Sequence, residues 1–251
     1  MSFVTSAQPH GTPTWIDLGI PDLDRAKSFY GAVFGWEFDT GPAETGHYTT
    51  ALLDGRRVAA IAPNEGESEF WWNVHLAVDD CDAAAAAVRA AGGSVAVEPM
   101  DVMTQGRTAL VVDPVGAPFG LWQARDHIGC EVVNEPNSLV RNDLVTPTAE
   151  PARAFYAAVF GFGLDRNEDV PDFDFTFLRR PDGYEVAGIL GSPEAVRSRW
   201  ATTFEVADTD AAMARVVAAG GKAGEASDMV YGRIATVTDP FGTEFSVITR
   251  V

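Results

Sequence analysis

The chain has 251 residues, 46% of them apolar, enough to bury a core in one large domain or two small ones. Its 36 acidic residues outnumber 18 Lys and Arg, for a net charge of −18, which argues against nucleic acid or an anionic membrane surface as a partner. Two cysteines, Cys81 and Cys130, are too few for a disulfide framework or a Cys-rich zinc site.

In chain order, Met1 to Thr14 has neither a basic n-region nor an apolar h-region, so it does not read as a signal peptide. No stretch approaches about 18 consecutive apolar residues, and the expectation is a cytoplasmic protein. A strand pattern at Trp15–Ile20 leads into a helix pattern at Asp24–Phe34. Alternating stretches at Tyr48–Leu53 and Arg57–Ala62 supply further strands. The order then recurs: a strand at Asn73–Val78, a helix at Asp82–Ala91, strands at Thr108–Val112 and Phe119–Gln123. Asp22, Asp80 and Asp208 stand where an N-cap acceptor is wanted. Gly35, Gly92, Gly161 and Gly220 follow the helices, where a left-handed residue ends them.

The second half repeats the first. Thr14–Trp36 matches Val140–Phe162 at 10 of 23 positions, Trp72–Gly93 matches Trp200–Gly221 at 12 of 22, and Gly106–Phe119 matches Gly232–Phe245 at 8 of 14. Three blocks in one order mean two copies of one domain. The division is a first domain at 1–125, a linker at 126–137 and a second domain at 138–251. Each copy itself reads as two modules of strand, helix and about three strands.

Strand residues alternate between faces. Ile16, Leu18 and Ile20 should pack on a helix, which leaves Trp15 and Asp17 on the other face. The corresponding inner sets are Asn73 and His75, then Gly120 and Trp122. In the second copy they are Arg141 and Asp143, then Ala201, Thr203 and Glu205, then Ser246 and Ile248. Large aromatics mixed with a few polar groups suggest a cavity lining.

Three motifs carry a family likeness: Pro21–Trp36, Val78–Ala84 ahead of A-A-G-G, and Val112–Gln123 with its D-P-V-G turn. All recur in the second copy, and the chain resembles the vicinal oxygen chelate superfamily of glyoxalases, bleomycin-resistance proteins and extradiol dioxygenases. It is most similar to the tandem members common in actinobacteria, some of them labelled hydroxylases or placed in antibiotic pathways. The resemblance implies an α+β fold of four βαβββ modules, with curved sheets enclosing cavities. Active relatives hold a divalent metal there through His and Glu. The matching positions here are Trp15, Asn73 and Gly120, then Arg141, Ala201 and Ser246. None is a His or a carboxylate, so no cofactor is expected; a divalent metal at a shifted site, with Asp17 and His75 two residues along, is the alternative.

The expectation is therefore a protein that binds a small apolar or aromatic metabolite, as a monomer or a homodimer. If it is an enzyme, the resemblance implies a lyase or an oxygenase. Asp17 and His75 are the candidate proton carriers, a buried carboxyl having a raised pKa. Asp17 is matched by a structural reading in which it accepts backbone N–H bonds. Trp15, Asn73, Trp122, Arg141, Asp143, Thr203 and Glu205 are candidate ligand contacts, with the first copy expected to hold the functional site. For Trp15 and Trp122, packing between modules is the competing reading. Phe173, Phe175 and Phe177 read first as a half-buried strand and second as an aromatic wall. Two alternatives remain: a metal-dependent lyase, isomerase or dioxygenase with a shifted site, and an accessory protein that stabilises a biosynthetic partner enzyme.

Overall fold

A computed structural model describes residues 3–66, 68–167 and 173–251; Met1 and Ser2, at the start of the segment read as lacking a leader, lie outside it. The first module is β1 (Pro13–Ile20), α1 (Leu23–Phe34), β2 (Glu37–Thr40), β3 (Thr49–Leu53) and β4 (Arg56–Pro63). The second is β5 (Trp72–Ala77), α2 (Cys81–Ala90), β6 (Ser94–Val102), β7 (Gly106–Val112) and β8 (Pro118–Ala124). The third is β9 (Leu139–Thr146), α3 (Ala149–Phe160), β10 (Gly163–Arg166), β11 (Phe175–Arg179) and β12 (Glu185–Gly191). The fourth is β13 (Arg199–Glu205), α4 (Thr209–Ala218), β14 (Lys222–Met229), β15 (Gly232–Thr238) and β16 (Glu244–Arg250).

The modules pair within a copy. One sheet runs β2-β3-β4-β1-β5-β8-β7-β6 and the other β10-β11-β12-β9-β13-β16-β15-β14. Both are mixed and neither closes on itself, so the expected α+β architecture stands with open sheets. Among the described residues no helix is long and apolar enough to cross a membrane.

Local chemistry accounts for the helix ends. Asp22, Asp80 and Asp208 cap α1, α2 and α4, accepting from the backbone N–H of Arg25, Ala83 and Ala211 at 2.9–3.0 Å. Thr148 precedes α3 without a side-chain cap. Gly35 and Gly161 end α1 and α3 with φ of 72° and 69°, a backbone that L side chains rarely adopt.

The helices do more than cover their own sheets. α1 packs on α4, and α2 on α3, so each contact joins the two copies. Phe29 of α1 lies against Gly221, where a Cβ would stand 2.9 Å from its ring and 2.4 Å from the Thr238 carbonyl. Phe155 of α3 lies in the same way against Gly93, where a Cβ would stand 3.0 Å from its ring. The second glycine of each A-A-G-G motif is thus the seat for an aromatic ring from the other copy. Tyr30, Phe34, Trp36 and Trp72 continue the contact into Phe204 and Phe245.

Two buried tyrosines lock this arrangement. The Tyr30 hydroxyl donates to Asp239 Oδ2, and the Tyr156 hydroxyl to Asp113 Oδ2, both at 3.0 Å. Each aspartate opens a D-P-x-G turn, and its Oδ1 accepts two backbone N–H groups of that turn. Burial pushes both carboxyls above their ordinary value, against the pull of these donors. Tyr156 also accepts from Trp200 Nε1 at 3.0 Å. Replacing Tyr156 with Phe leaves a carboxylate oxygen and an indole N–H buried without this partner. The expected loss is about 1–3 kcal/mol of stability, read as a lower urea midpoint; an unchanged midpoint would show that the lock contributes nothing.

Candidate functional site

The inner face of the first copy is filled by the chain itself. Asp17 on β1 is its centre: Asn73 Nδ2 donates to Oδ1 at 2.9 Å, and the Tyr48 hydroxyl to Oδ2 at 3.2 Å. His75 Nε2 lies 3.1 Å from the same Oδ2, and Trp15 Nε1 donates to the Tyr48 hydroxyl at 2.8 Å. Residues 127–130 close over this network. The His127 ring sits edge-on to Trp15, centroids 4.3 Å apart, and 5.4 Å from Trp122, whose Nε1 donates to the His127 carbonyl at 2.9 Å.

The plug is fixed by backbone bonds. Cys130 N donates to the Thr14 carbonyl at 2.7 Å, and the Cys130 thiol to the Val58 carbonyl at 3.1 Å. Gly129 has φ of 99°, and a Cβ there would fall 2.3 Å from the Thr14 oxygen, so this approach requires glycine. The segment expected to be a linker is therefore in large part a lid packed on the first sheet. Trp15 and Trp122 are 3% and 7% exposed beneath it. Their contact is with His127, which neither an open ligand wall nor packing between modules anticipates.

The Asp17 pKa runs opposite to expectation. Burial alone would raise it, but His75, Asn73 and Tyr48 together hold it below the ordinary carboxylate value. Asp17 is thus a satisfied anion. The expected structural alternative also differs in detail, since its partners are side chains and not backbone N–H groups. Burial pushes the thiols up, Cys81 to about 11 and Cys130 to about 12, so the helix N-terminus does not activate Cys81.

Among the described residues, the second copy keeps its inner face open. A cavity of about 370 Å³ is lined by Arg141, Asp143, Thr203, Phe173, Phe175 and Phe177, with Glu185, Tyr231 and Arg250 at its margins. Strand register brings the polar residues together: Arg141 is opposite Thr203 on β13, and Asp143 is opposite Gly188 on β12. A Cβ at Gly188 would stand 2.2 Å from the Phe175 ring and 2.6 Å from Asp143 Oδ1, so glycine makes room for both. Arg141 Nε donates to both Asp143 oxygens at 2.9 and 2.7 Å, and Nη1 to Glu185 Oε1 at 2.8 Å. Its guanidinium lies 5.5 Å from the Phe175 ring and 5.8 Å from Phe177. Burial pushes the Asp143 carboxyl above its ordinary value despite Arg141, and the Glu185 charge adds to the rise.

Of the anticipated contacts, Arg141, Asp143 and Thr203 share this cavity, whereas Trp15, Asn73, Trp122, Asp17 and His75 lie under the lid. Glu205 is spent on an ion pair with Arg250. Glu185, Tyr48 and His127 were not anticipated as parts of either inner face. The F-x-F-x-F alternation did carry a signal: Thr176 and Leu178 are buried in the core, while Phe175 and Phe177 face the cavity.

The residues present do not fit the family's metal. The Gly120 position has no room for a ligating Glu, because a Cβ there would lie 2.0 Å from His75 Nδ1. In the second copy the first-strand position carries the Arg141 guanidinium, a fixed cation paired with both nearby carboxylates. Asp17 and His75 supply only two donors for a shifted site, and they are bonded to each other. Among the described residues no group of three or more His, Cys, Asp or Glu is placed to hold a metal, whereas such sites take three or four donors.

Comparison with known proteins places this geometry in a family. The model of the Glyoxalase/Bleomycin resistance protein/Dioxygenase superfamily matches residues 12–121, and that of a Glyoxalase-like domain matches 140–248. The chain belongs to this superfamily as a tandem two-domain member. It is 40% identical over 248 residues to CFP32 of Mycobacterium tuberculosis, whose name suggests a glyoxylase, with 95% of this chain and 94% of that protein covered. It is 37% identical over 262 residues to the anthracycline biosynthesis protein DnrV of Streptomyces peucetius, covering 95% and 93%. Among solved structures, the Mn(II)-bound glyoxalase from Novosphingobium aromaticivorans aligns with a TM-score of 0.68 at 19% identity, covering 96% of this chain and 83% of that one. A homoprotocatechuate 2,3-dioxygenase variant from B. fuscum aligns at 0.67 and 16% identity, covering 98% and 73%.

The lid has a pH signature. His127 Nδ1 accepts from Gly129 N–H at 3.1 Å, which requires an unprotonated nitrogen. Burial, aided by Arg57 and His75, lowers this imidazole from 6.5 to about 4. The unfolded chain therefore binds the proton more readily. Stability is complete above about pH 6.5 and is lost as pH falls toward 4, by up to about 3 kcal/mol. Urea midpoints at about pH 7.5 and about pH 4.5 should diverge more for the native chain than for His127→Gln; equal divergence would contradict the buried, neutral ring.

Proposed function

We propose that this protein binds a planar, hydroxylated aromatic metabolite in the second-copy cavity, without a metal at the family's usual positions, as part of secondary metabolism. The observation that carries this reading is the cavity itself: three phenylalanines beside an anchored Arg–Asp pair. Phe175 and Phe177 offer ring faces to a flat ligand. Arg141 offers N–H donors to a quinone or carbonyl oxygen, and Asp143 an acceptor for a phenol. With its pKa raised by burial, Asp143 is also the carboxyl in this cavity that would exchange a proton with a bound phenol or enol. The likeness to DnrV supports the metabolic setting. The first copy, with its inner face filled, serves as the scaffold that positions the second.

Emodin, a planar tricyclic phenolic quinone, is a direct probe. Its absorbance should shift on binding, and Phe175→Ala should weaken the affinity about tenfold through lost ring contacts. Asp17→Asn should leave the affinity unchanged, and so should adding Mn(II) or EDTA. Loss of binding in Asp17→Asn with full binding in Phe175→Ala would overturn the reading.

A further inference from the structure

A second chamber of about 450 Å³ adjoins the aromatic cavity and shares Val140, Arg141, Glu185 and Arg250 with it. Its lining mixes polar groups, Arg180, Asn134 and Gln8, with apolar ones, Tyr184, Pro9 and Val133 among them. The Arg180 guanidinium lies 5.0 Å over the Tyr184 ring, and Tyr184 is 60% exposed. Arg180 Nη1 donates to Thr12 Oγ1 at 2.7 Å, which ties the N-terminal segment bearing Gln8 and Pro9 into the wall.

We propose that this chamber is a subsite for an uncharged, hydroxyl-rich substituent, such as a single sugar, carried on the aromatic ligand. The inference rests on the aromatic cavity being the ligand site. Charge balance selects the class. Arg141 is paired with Asp143 and Glu185, Arg180 with Asp182, and Arg250 with Glu205. An anion would face Glu185 and find no unneutralised arginine; a cation would face the guanidinium groups. Hydroxyls both donate and accept, which suits arginine and amide donors interleaved with carboxylate and amide acceptors. Tyr184 and Pro9 supply the apolar surface on which the C–H face of a sugar ring rests.

The test compares emodin with emodin 8-O-glucoside on the intact chain by titration calorimetry. The glucoside should bind about tenfold tighter, the effect of two or three added hydrogen bonds. In Arg180→Gln and in Tyr184→Ala that preference should vanish while emodin affinity stays as it was. A glucoside that binds no tighter than emodin overturns the subsite, and so does a preference that survives both substitutions. If emodin itself does not bind, or binds without regard to Phe175→Ala, the aromatic-site reading has failed and the subsite falls with it.

Discussion

The arrangement of this molecule depends on a reciprocal exchange of buried hydrogen bonds. The first helix of each copy sends a tyrosine into the D-P-x-G turn of the other, Tyr30 to Asp239 and Tyr156 to Asp113. That turn leads directly into the last strand of its copy, which lies beside β5 in the first copy and β13 in the second, the strands carrying His75 and Thr203. A carboxylate buried this deeply needs all its donors, since an unpaired one would cost several kcal/mol. The two glycine seats, Gly221 for Phe29 and Gly93 for Phe155, are filled only when both copies are present and aligned. The contact therefore fixes the relation between the two sheets, and with it the positions of both inner faces.

On that shared frame the two copies have diverged in how the inner face is occupied. In the first, Trp15, Asn73, His75 and Tyr48 build a network around Asp17, and residues 127–130 seal it. In the second, Arg141 and Thr203 stand where Trp15 and His75 stand in the first, and among the described residues the face stays open. The two related aspartates show the consequence electrostatically. Surrounded by three side-chain partners, Asp17 is held below its ordinary value; desolvated beside a cation and a second carboxylate, Asp143 is pushed above it. The related aspartates at the same strand position thus sit in opposite electrostatic settings, Asp17 lowered by its donors and Asp143 raised by burial.

Much of the fold was legible in the sequence because its signals are local or periodic. The helix caps at Asp22, Asp80 and Asp208 and the D-P-x-G turns depend on neighbours within a few residues, and the repeats show as one pattern met twice along the chain. Strand alternation placed Arg141, Asp143 and Thr203 on one face correctly. Occupancy of that face was not legible. The 127–130 lid is held by Thr14 and Val58, more than 70 residues away in the chain, and such pairing leaves no pattern in the segment itself. The direction of the Asp17 shift was missed for the same reason, because its donors come from β5 and from Tyr48, just before β3. Motif positions showed that the family's ligands were missing, but only the space around Gly120 shows that His75 has taken the room a Glu there would need.

The central claim is that the second copy presents the ligand site and the first is filled by its own chain. Two-dimensional ¹H–¹⁵N NMR of the intact protein with emodin tests it most directly. The account predicts that the Arg141 Nε–H and the Thr203 amide resonances shift on titration, while the indole N–H signals of Trp15 and Trp122 stay in place. Shifts of those two indole signals, with Arg141 and Thr203 unmoved, would contradict it.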